Sequence, residues 1–206
     1  DQDRSVIATP IYHITGMIAL LGLFLYVGGT LWLLNKVDPK RVLSCVKENE
    51  LTFFHASPTV YHLLLEQREL FPSLPTLTRM ACGSSNMPAG SIRKIKAWLP
   101  QVEFYTIYGM TEVSSPATTF PACATTSPYI ESSGVPIPGL DLKIVDEAGD
   151  EVPNGEVGEI VMYGTGVLEE YYKQKSDLIT ADGWLKSNDL GYINEEGYLW
   201  IVDRKK

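Results

Sequence analysis

From Ile14 to Leu34 the chain carries no charged residue, and a fold must either pass this run through a membrane or bury it. About 20 predominantly apolar residues suffice to span a bilayer as a helix, so length alone permits the first solution. The glycines argue for the second. Gly22 and the pair Gly28-Gly29 interrupt the run, after which Thr30-Leu31-Trp32-Leu33-Leu34 reads as a short buried strand. A buried helix, a glycine turn and a strand of a parallel sheet are apolar on all sides for a purely internal reason. Strong basic flanks that would orient a membrane span are also missing. The expectation is a soluble α/β chain without a transmembrane segment.

The residues that follow repeat the strand-helix alternation up to about residue 125. Asp38-Pro39 and Ser57-Pro58 each place an N-cap residue before a Pro at the first helical position, where its missing N–H is no loss. Val42, Leu43 and Val46 mark the inner side of one helix and Val60, Leu63 and Leu64 that of the next. A third runs from Pro88 to Trp98 with Ile92, Ile95 and Leu99 inside. Between them lie strands at Leu51-Thr52-Phe53-Phe54, at Thr78-Arg79-Met80-Ala81 and at the run ending in Ile107. The fold class expected is α/β: a largely parallel sheet layered with helices, whose ligands sit at the carboxyl ends of strands.

From about residue 126 to 206 the texture changes to short β segments divided by Gly, Pro, Asp and Asn. Leu140-Asp141-Leu142-Lys143-Ile144-Val145 alternates, Val157 to Tyr163 is extended, and Leu190–Ile193 with Tyr198–Val202 forms a hairpin around Asn194-Glu195-Glu196-Gly197. A small β-rich, barrel-like subdomain is expected here.

A formal net charge of −8 excludes a broad basic face for nucleic acid, because neutralising phosphates takes clustered Lys and Arg. Arg93-Lys94-Ile95-Lys96 reads as the solvated side of a helix. Cys45, Cys82 and Cys123 are odd in number and far apart, which indicates neither a disulfide framework nor a zinc site and fits a reducing cytoplasm.

The strand Val102–Ile107 ends in Tyr108-Gly109-Met110-Thr111-Glu112. A ring offers a stacking face, Gly a close backbone approach, a hydroxyl a donor to phosphate and a carboxylate a ligand for a hard cation. Taken alone, a strand running into a polar turn leaves the same pentapeptide. Downstream stand Gly183-Trp184-Leu185-Lys186-Ser187-Asn188-Asp189-Leu190-Gly191-Tyr192 and Gly197 through Lys206. Together with Thr9-Pro10-Ile11-Tyr12-His13, Cys82-Gly83-Ser84-Ser85-Asn86-Met87-Pro88 and Gly155-Glu156-Val157-Gly158-Glu159-Ile160, these ordered blocks resemble the adenylate-forming superfamily of acyl- and aryl-CoA synthetases, luciferases and peptide-synthetase adenylation domains.

The resemblance implies ATP, Mg²⁺ and CoA as ligands and a carboxylic acid as substrate, activated as acyl-AMP and passed to CoA, with AMP released. By match to the family motifs, Tyr108 with Gly109 would meet adenine, Thr111 the α-phosphate and Glu112 the Mg²⁺. Gly83, Ser84 and Ser85 would bring backbone near adenine and the acyl pocket, Asp189 would clamp both ribose hydroxyls, and Arg204 would reach ribose and phosphate. His13 falls near the acyl carboxylate and α-phosphate; a lone His on an apolar stretch is as readily structural. Alternatives for the individual residues are a packed core ring for Tyr108, a plain turn for Gly83–Ser85 and a surface ion pair for Arg204.

Two departures stand out. Many relatives carry Thr-Gly-Asp where this chain has Ser187-Asn188-Asp189, and Asn tolerates the left-handed backbone that Gly provides. Relatives commonly carry Gly where this chain has Glu170, a change that bears on one loop. Nothing resembles the upstream Ser/Thr/Gly-rich phosphate loop or the C-terminal domain with its catalytic Lys, and Lys206 matches the hinge between domains. The expectation is the later part of the large domain, which alone folds but does not catalyse. The competing classes are a non-catalytic nucleotide-binding or interaction module and a carrier-linked adenylation domain. A serine hydrolase is weaker, since Ser91-Ile92-Arg93-Lys94 lacks companion motifs.

Overall fold

The computed structural model describes residues 3–205; Lys206, where the resemblance places a hinge, lies outside them. The chain forms two compact units. The first runs to Ile107 and takes in Pro121–Glu131, and the second combines Tyr108–Phe120 with the chain from Ser132 onward.

In the first unit β1 (Arg4–Ile7) pairs in parallel with β2 (Thr30–Leu33). The charge-free run supplies the link: a π-helical stretch, Thr15–Gly22, continues as α1 (Leu23–Val27) and stops at Gly28, whose φ of 70° a side chain would oppose. Among the described residues no helix is long and apolar enough to cross a membrane. The expected enclosure of this helix does not hold. Leu20 and Phe24 are buried against Ile7, but Leu25 is 70% and Tyr26 90% exposed.

The alternation then continues through α2 (Pro39–Glu48), β3 (Phe53–Ala56), α3 (Pro58–Glu66), β4 (Arg79–Cys82), α4 (Ala89–Trp98) and β5 (Glu103–Tyr108). Asp38 caps α2, its Oδ1 accepting the Arg41 N–H at 2.7 Å, whereas Ser57 precedes Pro58 without a side-chain cap bond. β3, β4 and β5 are parallel neighbours in that order. β3 starts two residues later than its apolar run, and the Thr52 carbonyl just before it accepts the N–H groups of Thr78 and Arg79. Tyr61 ties α3 to the sheet. It is fully buried, its ring packs edge-on against Phe54 and Phe104, and its hydroxyl lies 2.8 Å from the Ala81 carbonyl and 3.1 Å from that of Phe54.

In the second unit β6 (Thr118–Thr119) pairs antiparallel with β7 (Val135–Pro136). β8 (Leu140–Val145), β9 (Gly158–Gly164), β10 (Leu185–Ile193) and β11 (Leu199–Arg204) form an antiparallel sheet in the order β11-β10-β9-β8. One face buries Leu140, Ile144, Ile160, Met162, Leu185 and Leu199. This sheet is open, with β8 and β11 as its edges, so the barrel-like closure expected for this part is not found. Four strands are too few to curl round and meet across a filled interior, which takes about eight. The expected hairpin is present, with β10 extended back to Leu185.

On β3, His55 is 3% exposed and its Nε2 has no hydrogen-bond partner. Burial alone lowers its pKa to about 4, so the imidazole is neutral in the fold at neutral pH. Above its unfolded pKa both states are neutral and His55 adds no pH dependence. Below about 6.5 the unfolded chain gains a proton that the folded one refuses, and stability falls by about 1.4 kcal/mol per pH unit until the folded pKa is reached. Urea unfolding at pH 7 and pH 5 should therefore show a loss in the wild type about 2 kcal/mol larger than in His55→Met.

Candidate functional site

β5 carries its chain out of the sheet at Tyr108, and the motif that follows belongs to the second unit. The Tyr108 ring is buried with Val113 and Ala117 in that unit's core. Its hydroxyl donates to Asp189 Oδ2 at 2.7 Å. Burial first, and then the Asp189 charge, push its ionisation far up, so it remains a phenol donor at neutral pH. On the other side of the carboxylate, Arg204 Nε stands 3.8 Å from Asp189 Oδ1 with three-quarters of its side chain exposed. A hydrogen bond to a charged group contributes about 1.5–3 kcal/mol, an exposed ion pair roughly 0–1 kcal/mol. Tyr108, rather than Arg204, holds Asp189 in place.

Asp189 is aimed by an irregularity in β10. Its register with β9 shifts between Lys186 and Leu190, and that with β11 between Leu190 and Gly191. Ser187 Oγ accepts the Asp189 N–H at 3.0 Å. Asn188 takes φ 59°, the left-handed backbone expected of it. A bulge of this kind turns a side chain out of the regular pleat.

Thr111 and Glu112 start a single 3₁₀ turn, Thr111 exposed and Glu112 half-buried. Glu112 Oε1 accepts the Tyr171 hydroxyl at 2.8 Å, and its carbonyl accepts the Leu168 N–H at 2.7 Å. Tyr171 was not among the residues singled out; a Tyr pair beside acidic residues is a weak signal, and the partner lies far away in sequence. Its ionisation is raised, by burial first and then by Glu112. Glu170 stays out of the left-handed region, which Lys173 enters instead at φ 54°, so no glycine is required there. Among the described residues no group of three His, Cys, Asp or Glu side chains is gathered to hold an ion. A carboxylate with an adjacent hydroxyl nevertheless suits Mg²⁺, which keeps several waters and takes one or two carboxylates beside phosphate oxygens.

Gly109 sits where a side chain has no room. A Cβ there would lie 2.8 Å from Ser115 Oγ and 3.0 Å from the Ala117 nitrogen, so the chain's own loop fills the space. In the first unit Gly83 is buried, a Cβ on it meeting His55 Nε2 and the Ile107 carbonyl at 3.3 Å. Ser84 (φ 72°) and Ser85 are exposed. His13 is exposed, and its Nδ1 accepts the Thr15 N–H at 3.3 Å.

The family profile described as AMP-binding enzyme matches residues 1–172. The chain belongs to this family. It is 32% identical over 211 residues to a feruloyl-CoA synthase of Amycolatopsis sp., covering 100% of this chain and 42% of that protein. It is 33% identical over 207 residues to a 2-succinylbenzoate–CoA ligase of Bacillus pumilus, covering 100% and 41%. Among solved structures, O-succinylbenzoate coenzyme A synthetase from Bacillus subtilis in complex with ATP and magnesium ion superimposes with a TM-score of 0.88 at 30% identity, over 99% of this chain and 42% of that one. ATP-bound MatB from Rhodopseudomonas palustris gives 0.87 at 27% identity, over 98% and 40%. The chain thus spans about two fifths of the length of the relatives it matches.

The packing at Gly109 gives a direct test. Gly109→Ala should lower the unfolding free energy by about 1–3 kcal/mol, as overpacking does. Gly90→Ala, where a Cβ meets nothing within 4 Å, should leave stability unchanged or slightly raised; thermal melts of the two variants check the contrast.

Proposed function

We propose that the complete protein carrying this chain is an ATP-dependent acid–CoA ligase. The observation that carries this reading is the carboxylate pair of the second unit: Asp189 fixed by Tyr108, and Glu112 fixed by Tyr171, on a chain whose relatives are named as CoA ligases. In the first half-reaction a carboxylate oxygen of the acid attacks the α-phosphorus of ATP, forming acyl-AMP and releasing pyrophosphate. In the second, the CoA thiol attacks the acyl carbonyl, the thioester forms and AMP leaves.

Within that scheme Asp189 accepts hydrogen bonds from the two ribose hydroxyls, its carboxylate already turned outward by the bulge. Tyr108 lends its hydroxyl to Asp189. Thr111 donates to the α-phosphate, whose charge builds in the transition state. Glu112 would hold Mg²⁺, which would supply neutralisation of phosphate charge. Arg204 reaches the ribose and phosphate. The relatives' names favour CoA over a carrier protein as acceptor. The free thiols Cys45, Cys82 and Cys123 favour the cytoplasm as its compartment.

Acid-dependent exchange of labelled pyrophosphate into ATP is expected from the complete protein, and no exchange across a panel of aliphatic and aromatic acids would refute the assignment. Asp189→Ala should raise the ATP concentration required by on the order of a hundredfold, the loss of two charge-assisted hydrogen bonds at the low end of their range. An unaltered ATP dependence would reduce Asp189 to a turn residue.

A further inference from the structure

Glu159 on β9 is the sole buried carboxylate among the described residues, and the reading so far gives it no part. It lies where β10 breaks step. Between Lys186, opposite Val161, and Leu190, opposite Glu159, β10 uses four residues where β9 uses two. The intervening backbone therefore leaves the ladder and must find partners elsewhere. Glu159 Oε1 accepts the Asn188 N–H at 3.2 Å, while Oε2 accepts from Lys205 Nζ at 3.0 Å. The Lys205 N–H donates in turn to the Asn188 carbonyl at 2.7 Å. Residue 188 is thus tied on its amide side by the buried charge itself and on its carbonyl side by the residue that neutralises that charge.

We propose that Glu159 is a positioning residue for the ribose of the nucleotide. By fixing the Asn188 backbone at φ 59° it sets the direction in which the next residue, Asp189, presents its carboxylate. Through Lys205 it ties the same turn to the end of β11, one residue beyond Arg204. Tyr108 and Ser187 do not replace it, since they hold the Asp189 carboxylate and N–H but not the peptide before it. The charge has a purpose of its own: a carboxylate this deep needs a cation, and Lys205 is the one in reach. The proposal rests on the reading of Asp189 as the ribose acceptor.

The test compares the affinities of the complete protein for ATP and 2′-deoxy-ATP by calorimetry. A role in general stability would weaken both ligands together and leave their ratio unmoved; positioning acts on the ratio. The wild type should prefer ATP, and Asp189→Ala should abolish the preference. Glu159→Ala, verified as folded by circular dichroism, should diminish it by about tenfold, the worth of one charge-assisted hydrogen bond. Glu159→Gln keeps an acceptor for the Asn188 N–H and should retain most of it. A folded Glu159→Ala with the wild-type preference overturns the proposal. If that variant does not fold, Lys205→Met decides in its place, a reduced preference supporting and an unchanged one overturning it. A wild type indifferent to the 2′-hydroxyl would overturn the ribose reading and this proposal with it, and is distinguishable because it appears before any Glu159 variant is made.

Discussion

A strand inside a sheet cannot keep its ladder on both sides and also swing a carboxylate out of the pleat. β10 meets this constraint by giving up register between Lys186 and Leu190, and much of the second unit is organised around the backbone groups thereby released. The Glu159 side chain from β9 accepts the Asn188 N–H, and the backbone N–H of Lys205, just past β11, donates to the Asn188 carbonyl. The Ser187 hydroxyl closes the turn locally. Of the Glu159–Lys205 pair only the carboxylate is buried, the Lys205 side chain being 46% exposed, so it is the Glu159 charge that loses hydration, and its bonds to Lys205 and to the Asn188 N–H offset that loss. The pair's presence beneath Asp189 ties the geometry of that residue to the folding of the whole sheet.

The two outward carboxylates are handled alike. Asp189 and Glu112 each receive a phenol hydroxyl, from Tyr108 at 2.7 Å and Tyr171 at 2.8 Å. A phenol suits this use because it donates without adding charge: the carboxylate is oriented yet remains negative toward whatever it meets. A lysine in either place would cancel that charge.

Much of the first unit was legible because its signals are local. Asp38-Pro39 announced α2, and the inner faces of α2 and α4 followed from helical spacing. The glycine pair within the charge-free run ended a helix before a strand. The left-handed backbone of Asn188 followed from the Gly that relatives carry there together with the backbone tolerance of Asn. What was not legible depends on long-range pairing. Whether a β-rich segment closes is decided by how many strands meet, and local alternation is silent about that. Tyr171 meets Glu112, and Lys205 meets Glu159, across 59 and 46 residues. The one local hint was Glu159 itself, a charge inside the apolar run Val157–Met162. Gly109 looked like an opening for a ligand, whereas its missing Cβ makes room for Ser115 and Ala117.

The face left open on α1 bears on how this chain behaves by itself in water. Leu25 and Tyr26 stand out into solvent beside Met17, Ile18 and Leu23, which are each at least 40% exposed. A formal charge of −8 keeps molecules apart only over the screening distance, about 8 Å at physiological ionic strength. Once two copies approach closer than that, apolar contact is the stronger attraction. Raising the salt concentration weakens the charge repulsion and leaves contact between these exposed apolar side chains unscreened.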